Sequence, residues 1–179
     1  MSVATNVVAQ VKALRAYSLP GGEPVRERPE VSVDLSLADG TTTSTADEVY
    51  VFAETITAAA HTNLDLTNLD QKDSAGTSLR TISLDNVKAV LVKNTNTAGT
   101  TGYITIGGGT DGGAAADAWA GVTTPFAADS DIVNVPPGGL FQWYSPVGGT
   151  VTNTSADVLH LGAVTANQAY EIVIVGDAS

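Results

Sequence analysis

The side chains with the chemistry to act on a substrate or hold a metal are few in this sequence, and they are scattered. His61 and His160 are the two histidines, and neither has a second histidine close enough along the chain to form a zinc-binding pair. Asp111, Asp117, Asp129, Asp131 and Asp157 supply oxygen ligands of the type calcium takes, but no twelve-residue loop pattern joins them. Asp129-Ser130-Asp131 reads better as a turn leading into a strand. The run GGGTDGG at 107–113 has the glycines of a phosphate cradle without the Lys followed by Ser or Thr that such a loop needs, and reads as a hairpin tip. No G-x-S-x-G turn exposes a serine nucleophile. Paired carboxylates for glycoside cleavage need a cleft, commonly lined with aromatics, and the chain offers Trp119, Trp143 and five thinly spread tyrosines. These patterns predict a protein that is not an enzyme and holds neither cofactor nor metal.

Charge narrows the partners. The formal net charge is −11, and all eight Lys and Arg residues lie between Lys12 and Lys93. Nucleic-acid binding rests on cations that neutralise phosphates, so the second half of the chain predicts no nucleic-acid partner. The 179 residues contain no cysteine, and a chain of this length buries enough surface to fold without disulfides. No apolar run approaches the roughly 20 residues of a membrane helix. The first residues, MSVATNVVAQVKALRAY, lack the order of a secretory leader. Together these features predict a soluble protein with no membrane partner.

What would position any site is a series of short strands. Residues 2–19 are ambiguous: Val7, Val8, Val11 and Leu14 fit a helical stripe, while their β-branched members favour a strand. PGGEPVRERPE at 20–30 reads as a linker or extended arm, with Arg26 and Arg28 set among glutamates. Such a segment can lie across a neighbouring surface or stay a disordered tether. From Val31 the period is two: VSVDLSL puts Val31, Val33, Leu35 and Leu37 on one face. Further strands are predicted in EVYVFAETIT, TNLDLTNLD, LRTISL, VKAVLVKN, YITIG, DIVNV, GLFQWYS, GTVTNT, DVLHLG and AYEIVIVG. VKAVLVKN and YITIG read as a hairpin with a long loop. His160 alternates with leucines and reads as an outward polar residue. The continuous apolar run in AYEIVIVG predicts a strand covered on both faces. About ten short strands with turn clusters between them indicate a sandwich or barrel. The wide loops favour a Greek-key or jelly-roll arrangement. The expected organisation is an extended or partly helical N-terminal arm, 1–30, and an all-β sandwich of jelly-roll type over 31–179.

The stretch VPPGGLFQWYSP, 135–146, illustrates the local logic. Pro136 and Pro137 cannot donate to a ladder and end a strand at Val135. Gly138-Gly139 suits a tight corner. Phe141 and Trp143 then share one face of the next strand, and Leu140, Gln142 and Tyr144 the other. One face fills the core. The other is either covered by a partner or ordinary, with Tyr144 exposed.

The succession VKAVLVKNTNTAGTTGYITIGGG, FAADSDIVNVPPGGLFQWYSP, VTNTSADVLHLG and AYEIVIVG, with LDLTNLD upstream, resembles small structural virion proteins of tailed bacteriophages over roughly residues 47–176. Residues 1–30 lie outside that pattern. The resemblance implies a non-enzymatic component of the particle, assembled in the host cytoplasm and residing in the virion. It also implies a homo-oligomer, with a trimer the common case. The expected function is a capsid decoration or cement protein whose partner is the major capsid protein or another virion protein. A head or tail fibre or spike domain binding host carbohydrate is the alternative, as is a neck or tail connector. Val7, Val8, Val11, Leu14, Arg26 and Arg28 are the candidate anchors of the arm. Tyr144 is a candidate partner contact, and Trp119, in its glycine-rich loop, a candidate exposed aromatic platform for sugar.

Overall fold

The structure is a computed structural model that describes residues 5–12, 15–18, 24–27, 30–40, 45–73, 75–97, 99–107, 117–128 and 130–178, with side chains from Leu37 onward. Its regular elements are strands, and no α-helix occurs among the described residues. In chain order they are β1 (Thr5–Lys12), β2 (Arg15–Ser18), β3 (Pro24–Glu27), β4 (Glu30–Asp39), β5 (Thr45–Ala46), β6 (Glu48–Ile56), β7 (His61–Asp65), β8 (Leu69–Lys72), β9 (Ser78–Ile82), β10 (Leu84–Asn94), β11 (Tyr103–Gly107), β12 (Ile132–Val135), β13 (Leu140–Thr150), β14 (Val158–Val164) and β15 (Gln168–Ala178).

Two antiparallel four-stranded sheets dominate, ordered β13-β10-β15-β6 and β12-β11-β14-β7. Their inward side chains form one core. Tyr50, Val90, Val92, Tyr170, Ile172 and Ile174 come from the first sheet, and Ile104, Ile106, Leu159 and Leu161 from the second. Each buried aliphatic side chain of this size stabilises the fold by about 1.5–3 kcal/mol. The period of two explains the split: alternate residues of each strand face the other sheet, and the rest face outward. The smaller sheets are β1-β4-β5, β2-β3 and β8-β9.

The N-terminal ambiguity resolves as strand. β1 pairs antiparallel with β4 from Thr5↔Leu37 to Lys12↔Glu30. The β-branched residues that lose side-chain freedom in a helix outweigh the helical spacing here. The partly helical arm is therefore corrected to strand within 5–12, 15–18 and 24–27; Leu14 and Arg28 lie outside the described residues.

A second correction concerns β10 and β11, which do not form a hairpin. Both edges of β10 are taken, by β13 and β15, and both edges of β11 by β12 and β14. The chain between them crosses from one sheet to the other. Gly102 makes that crossing possible: its φ is +90°, and a Cβ there would run into the Val164 carbonyl oxygen.

The Pro-Gly corner behaves as the residues dictate. β12 ends at Val135, and the Gly139 N–H donates to the Pro136 carbonyl at 2.7 Å. The corner is pinned to the end of β10, where Gly138 N–H donates to the Asn94 carbonyl at 3.1 Å and Asn94 N–H to the Gly139 carbonyl at 3.0 Å. The Asn94 side chain, fully buried, donates to the Val135 carbonyl at 3.1 Å and to Gln168 Oε1 at 2.9 Å. Gln168 in turn donates to the Thr101 carbonyl at 3.1 Å. These two satisfied amides tie three crossing segments together at one end of the fold.

Candidate functional site

The outward face of the β13-β10-β15-β6 sheet is unusually apolar. Strand register lays it out in rows. The first row runs Val49, Val175, Ala89, Tyr144, the second Val51, Val173, Leu91, Gln142, and the third Ala53, Glu171, Lys93, Leu140. The first row is covered by the chain itself, because Leu37 of β4 and Ala46 of β5 cluster on Ala89 and Val175, with Val49, Tyr144 and Val173 packed alongside. The third row is exposed throughout, and the second in part: Val51 is exposed, while Val173, Leu91 and Gln142 are half-buried. Val51 is 52% exposed and Leu140 56%. A hollow of about 560 Å3 lies over Val51, Ala53 and Val173, walled on one side by the turn carrying Lys72, Asp73 and Gly76. Lys93 and Glu171 pair at 3.7 Å in the third row, both exposed, so the pair contributes little. AYEIVIVG thus has both faces covered only over part of its length, and the remaining apolar side faces out.

At the covered end, a β-bulge between Val87 and Ala89 inserts Lys88. Its ammonium is buried, donating to the Val147 carbonyl at 2.8 Å and lying 3.7 Å from Asp177 Oδ2. The Asn86 amide reaches the same oxygen at 3.5 Å, while Asp177 Oδ1 has no partner among the described residues. Burial pushes the Asp177 carboxyl up from its ordinary value, against the pull of Lys88. Asp47, just after β5, accepts the Ala178 N–H at 2.8 Å and so holds the covering segment to the end of β15.

The residues singled out from sequence separate into three groups. Tyr144 lies in the first row, beside the segment that covers it, and burial pushes its phenol up. Val7, Val8 and Val11 lie on β1 opposite Leu35, Asp34 and Val31 of β4, the strand whose far end brings Leu37 onto the face. Arg26 lies on β3 opposite Ala16. Trp119 belongs elsewhere. It is 1% exposed, its Nε1 donates to the Thr150 carbonyl at 3.1 Å, and its ring meets Trp143 edge-on at 5.3 Å and Phe126 at 6.4 Å. The exposed-platform expectation for Trp119 is corrected: an indole that size gains more from the core than from a loop tip.

His160 lies on the face of β14 opposite core residues Leu159 and Leu161, as their alternation predicts, but it is covered there and only 5% exposed. Its Nδ1–H donates to Asn63 Oδ1 at 2.6 Å, and its buried Nε2 has no partner among the described residues. Burial lowers its pKa, and His61 adds to the lowering. No group of three or more His, Asp or Glu side chains among the described residues converges as a metal site. Exposed Val51 and half-buried Leu91 and Val173, the second row of the face, escaped sequence reasoning. The available signal was the lack of polar alternation in VKAVLVKN and AYEIVIVG, which marks a covered strand without saying what covers it.

Compared with protein-family models, curated proteins and solved structures, the chain matches none. No helix among the described residues is long and apolar enough to cross a membrane.

Proposed function

We propose that this chain is a structural virion protein of a tailed bacteriophage, a jelly-roll subunit that decorates or cements the head. The observation that carries the adhesive reading is the half-covered outer face. An apolar sheet face that its own chain covers over one row and leaves partly open over the next is built to be completed by another surface. Strand order supports the jelly-roll description. β6 pairs with β15, β7 with β14, β10 with β13 and β11 with β12, so the chain pairs its outermost strands first and nests inward. That nesting is the eight-strand, double Greek-key pattern found in viral capsid and lectin domains. Fold alone does not assign function, and the particle as the partner rests on the sequence resemblance.

In this reading β4, β5 and the strands before them bring the N-terminal segment to the rim of the adhesive face. Val7, Val8, Val11 and Arg26 are its candidate contacts, and the acidic surface keeps free copies apart. Assembly as a homo-oligomer, a trimer in the simplest case, multiplies weak contacts with the lattice into firm retention.

The test is co-sedimentation of the purified chain with heads that lack it. Wild type is expected to pellet with the heads, and Val51→Asp and Leu91→Asp, on the second row, to stay in the supernatant with unchanged circular dichroism. Retention of both folded variants on heads removes this face from the function. Failure of the wild type to bind removes the virion reading itself.

A further inference from the structure

A second concavity, next to the hollow on the adhesive face and sharing Phe52 and Lys72 with it, is lined mainly by residues of β6, β7 and β8 and has a volume of about 270 Å3. β6 and β7 are each an edge strand of their sheet, so the cleft opens along the seam between the two layers. Its apolar floor includes Leu64 and Leu69, both buried.

Tyr50 is the informative residue. It is 3% exposed, yet it lines this cleft, and no group among the described residues hydrogen-bonds its hydroxyl. Burial first, then the carboxylates of Asp70 and Glu54, push the phenol up to about 12, so it keeps its proton as a donor. The hydroxyl is open to the cleft rather than sealed in the core, so a ligand there can accept from it in place of water. Around it the polar groups are of both kinds. Glu54 accepts from the Tyr170 hydroxyl at 3.4 Å and is otherwise exposed. Asp70 takes the Ser78 hydroxyl at 2.8 Å and the Lys72 ammonium at 3.6 Å. That ammonium also sits 5.9 Å over the Phe52 ring, which limits flat stacking there.

Donors and acceptors side by side select the ligand. An ammonium or guanidinium group only donates, and leaves the Tyr50 hydroxyl without an acceptor. An anion meets Glu54 and Asp70 at close range and is repelled. Neighbouring hydroxyls on one ring both donate and accept. We infer that this cleft binds a neutral saccharide, whose hydroxyls accept from Tyr50 and Lys72 and donate to Glu54 and Asp70. The volume, near the low end of ligand sites at about 300 Å3, fits one or two sugar rings.

The test uses the whole chain without particles, on an array of neutral and sialylated glycans followed by NMR titration with the best neutral sugar. Neutral glycans are expected to bind and sialylated ones to bind more weakly. Tyr50→Phe keeps the ring in the core and removes only the hydroxyl; about tenfold weaker binding is expected. Glu54→Gln, at an exposed position, gives a second readout if Tyr50→Phe fails to fold, and is expected to weaken binding in the same direction. No neutral-sugar binding at millimolar concentration overturns the inference. So does preference for sialylated glycans, wild-type affinity in both variants, or displacement of the sugar by oligolysine. These outcomes are independent of head adhesion, because Val51→Asp tests the adhesive face in a separate assay.

Discussion

The side-chain amide of Gln71 hydrogen-bonds both main-chain polar groups of Val51: the Val51 N–H donates to Oε1 at 3.1 Å, and Nε2 donates to the Val51 carbonyl at 3.0 Å. β6 is an edge of its sheet, and at Val51 the groups not used by β15 point away from the sheet. The amide stands in for one residue of a further strand. It satisfies those groups and blocks the edge against another chain.

Gln71→Ala therefore has two expected effects. Stability falls by about 1 kcal/mol, since the freed groups gain water, and Tm drops by about 2–4 °C. The more telling effect is self-association through β6, read as a sedimentation coefficient that climbs with concentration. Gln71→Glu keeps the acceptor, loses the donor and sets a carboxylate against a carbonyl, so it melts below Gln71→Ala. If both variants melt and sediment like wild type, the amide does not guard the edge.

The Lys88–Asp177 pair is expected to behave as a buried pair rather than a surface one. Lys88→Met leaves a carboxylate enclosed with one oxygen that has no partner among the described residues, and costs about 3–5 kcal/mol in urea unfolding. Replacing both, as Lys88→Met with Asp177→Leu, recovers most of that loss, because the double variant encloses no charge. The pH dependence has a definite sign. The folded-state pKa of Asp177 lies above the ordinary 3.8, so the folded form holds its proton more tightly. Its contribution is fullest below that value and declines as pH rises through the folded pKa. Asp177→Asn removes this slope from the stability curve; an unchanged slope means another group sets it.

His160 has the opposite sign in a higher window. The folded form resists protonation because burial encloses Nε2, which has no partner among the described residues, and because His61 stands nearby, although Asp117 pulls the other way. Its folded pKa is lowered, so stability is complete above the ordinary 6.5 and falls as pH drops below it. Urea midpoints measured from pH 7.5 to 5.5, or about one unit either side of that ordinary value, are expected to decline for wild type. His160→Gln, which keeps an amide donor for Asn63, flattens the decline. A wild-type midpoint that stays level across the window removes His160 as its cause.

The strands were legible because their cause is local. VSVDLSL, YITIG and DIVNV alternate or are β-branched, and the Pro-Gly corner announces itself. Pairing was not legible. VKAVLVKN and YITIG are adjacent in sequence, but each finds both of its partners farther along the chain, and nothing in either strand encodes which sheet it joins. Burial of Trp119 was hidden for a similar reason: its surroundings in sequence are glycine and alanine, while its partners in space are Trp143, Phe126 and Gly149. Of the adhesive face, Tyr144 could be picked from its aromatic strand. Val51 and Leu91 could not, because an outward valine becomes conspicuous only when its row across four strands is known.

Trp119 supplies the sharpest test of that packing. A Cβ added at Gly149 would lie 2.5 Å from Trp119 Cζ2, so the indole lies directly on bare backbone. Gly149→Ala forces the ring out of place and is expected to cost about 1–3 kcal/mol. Trp119→Ala removes the ring at the centre of the edge-on contacts with Trp143 and Phe126, and is expected to cost about 3–5 kcal/mol. Pairing Gly149→Ala with the smaller ring of Trp119→Phe is expected to cost less than the two single changes added together, since the smaller ring leaves room for the methyl. Thermal melts of the four proteins read this coupling. Simple additivity means the two positions do not touch, and a Trp119→Ala protein as stable as wild type returns the indole to the surface.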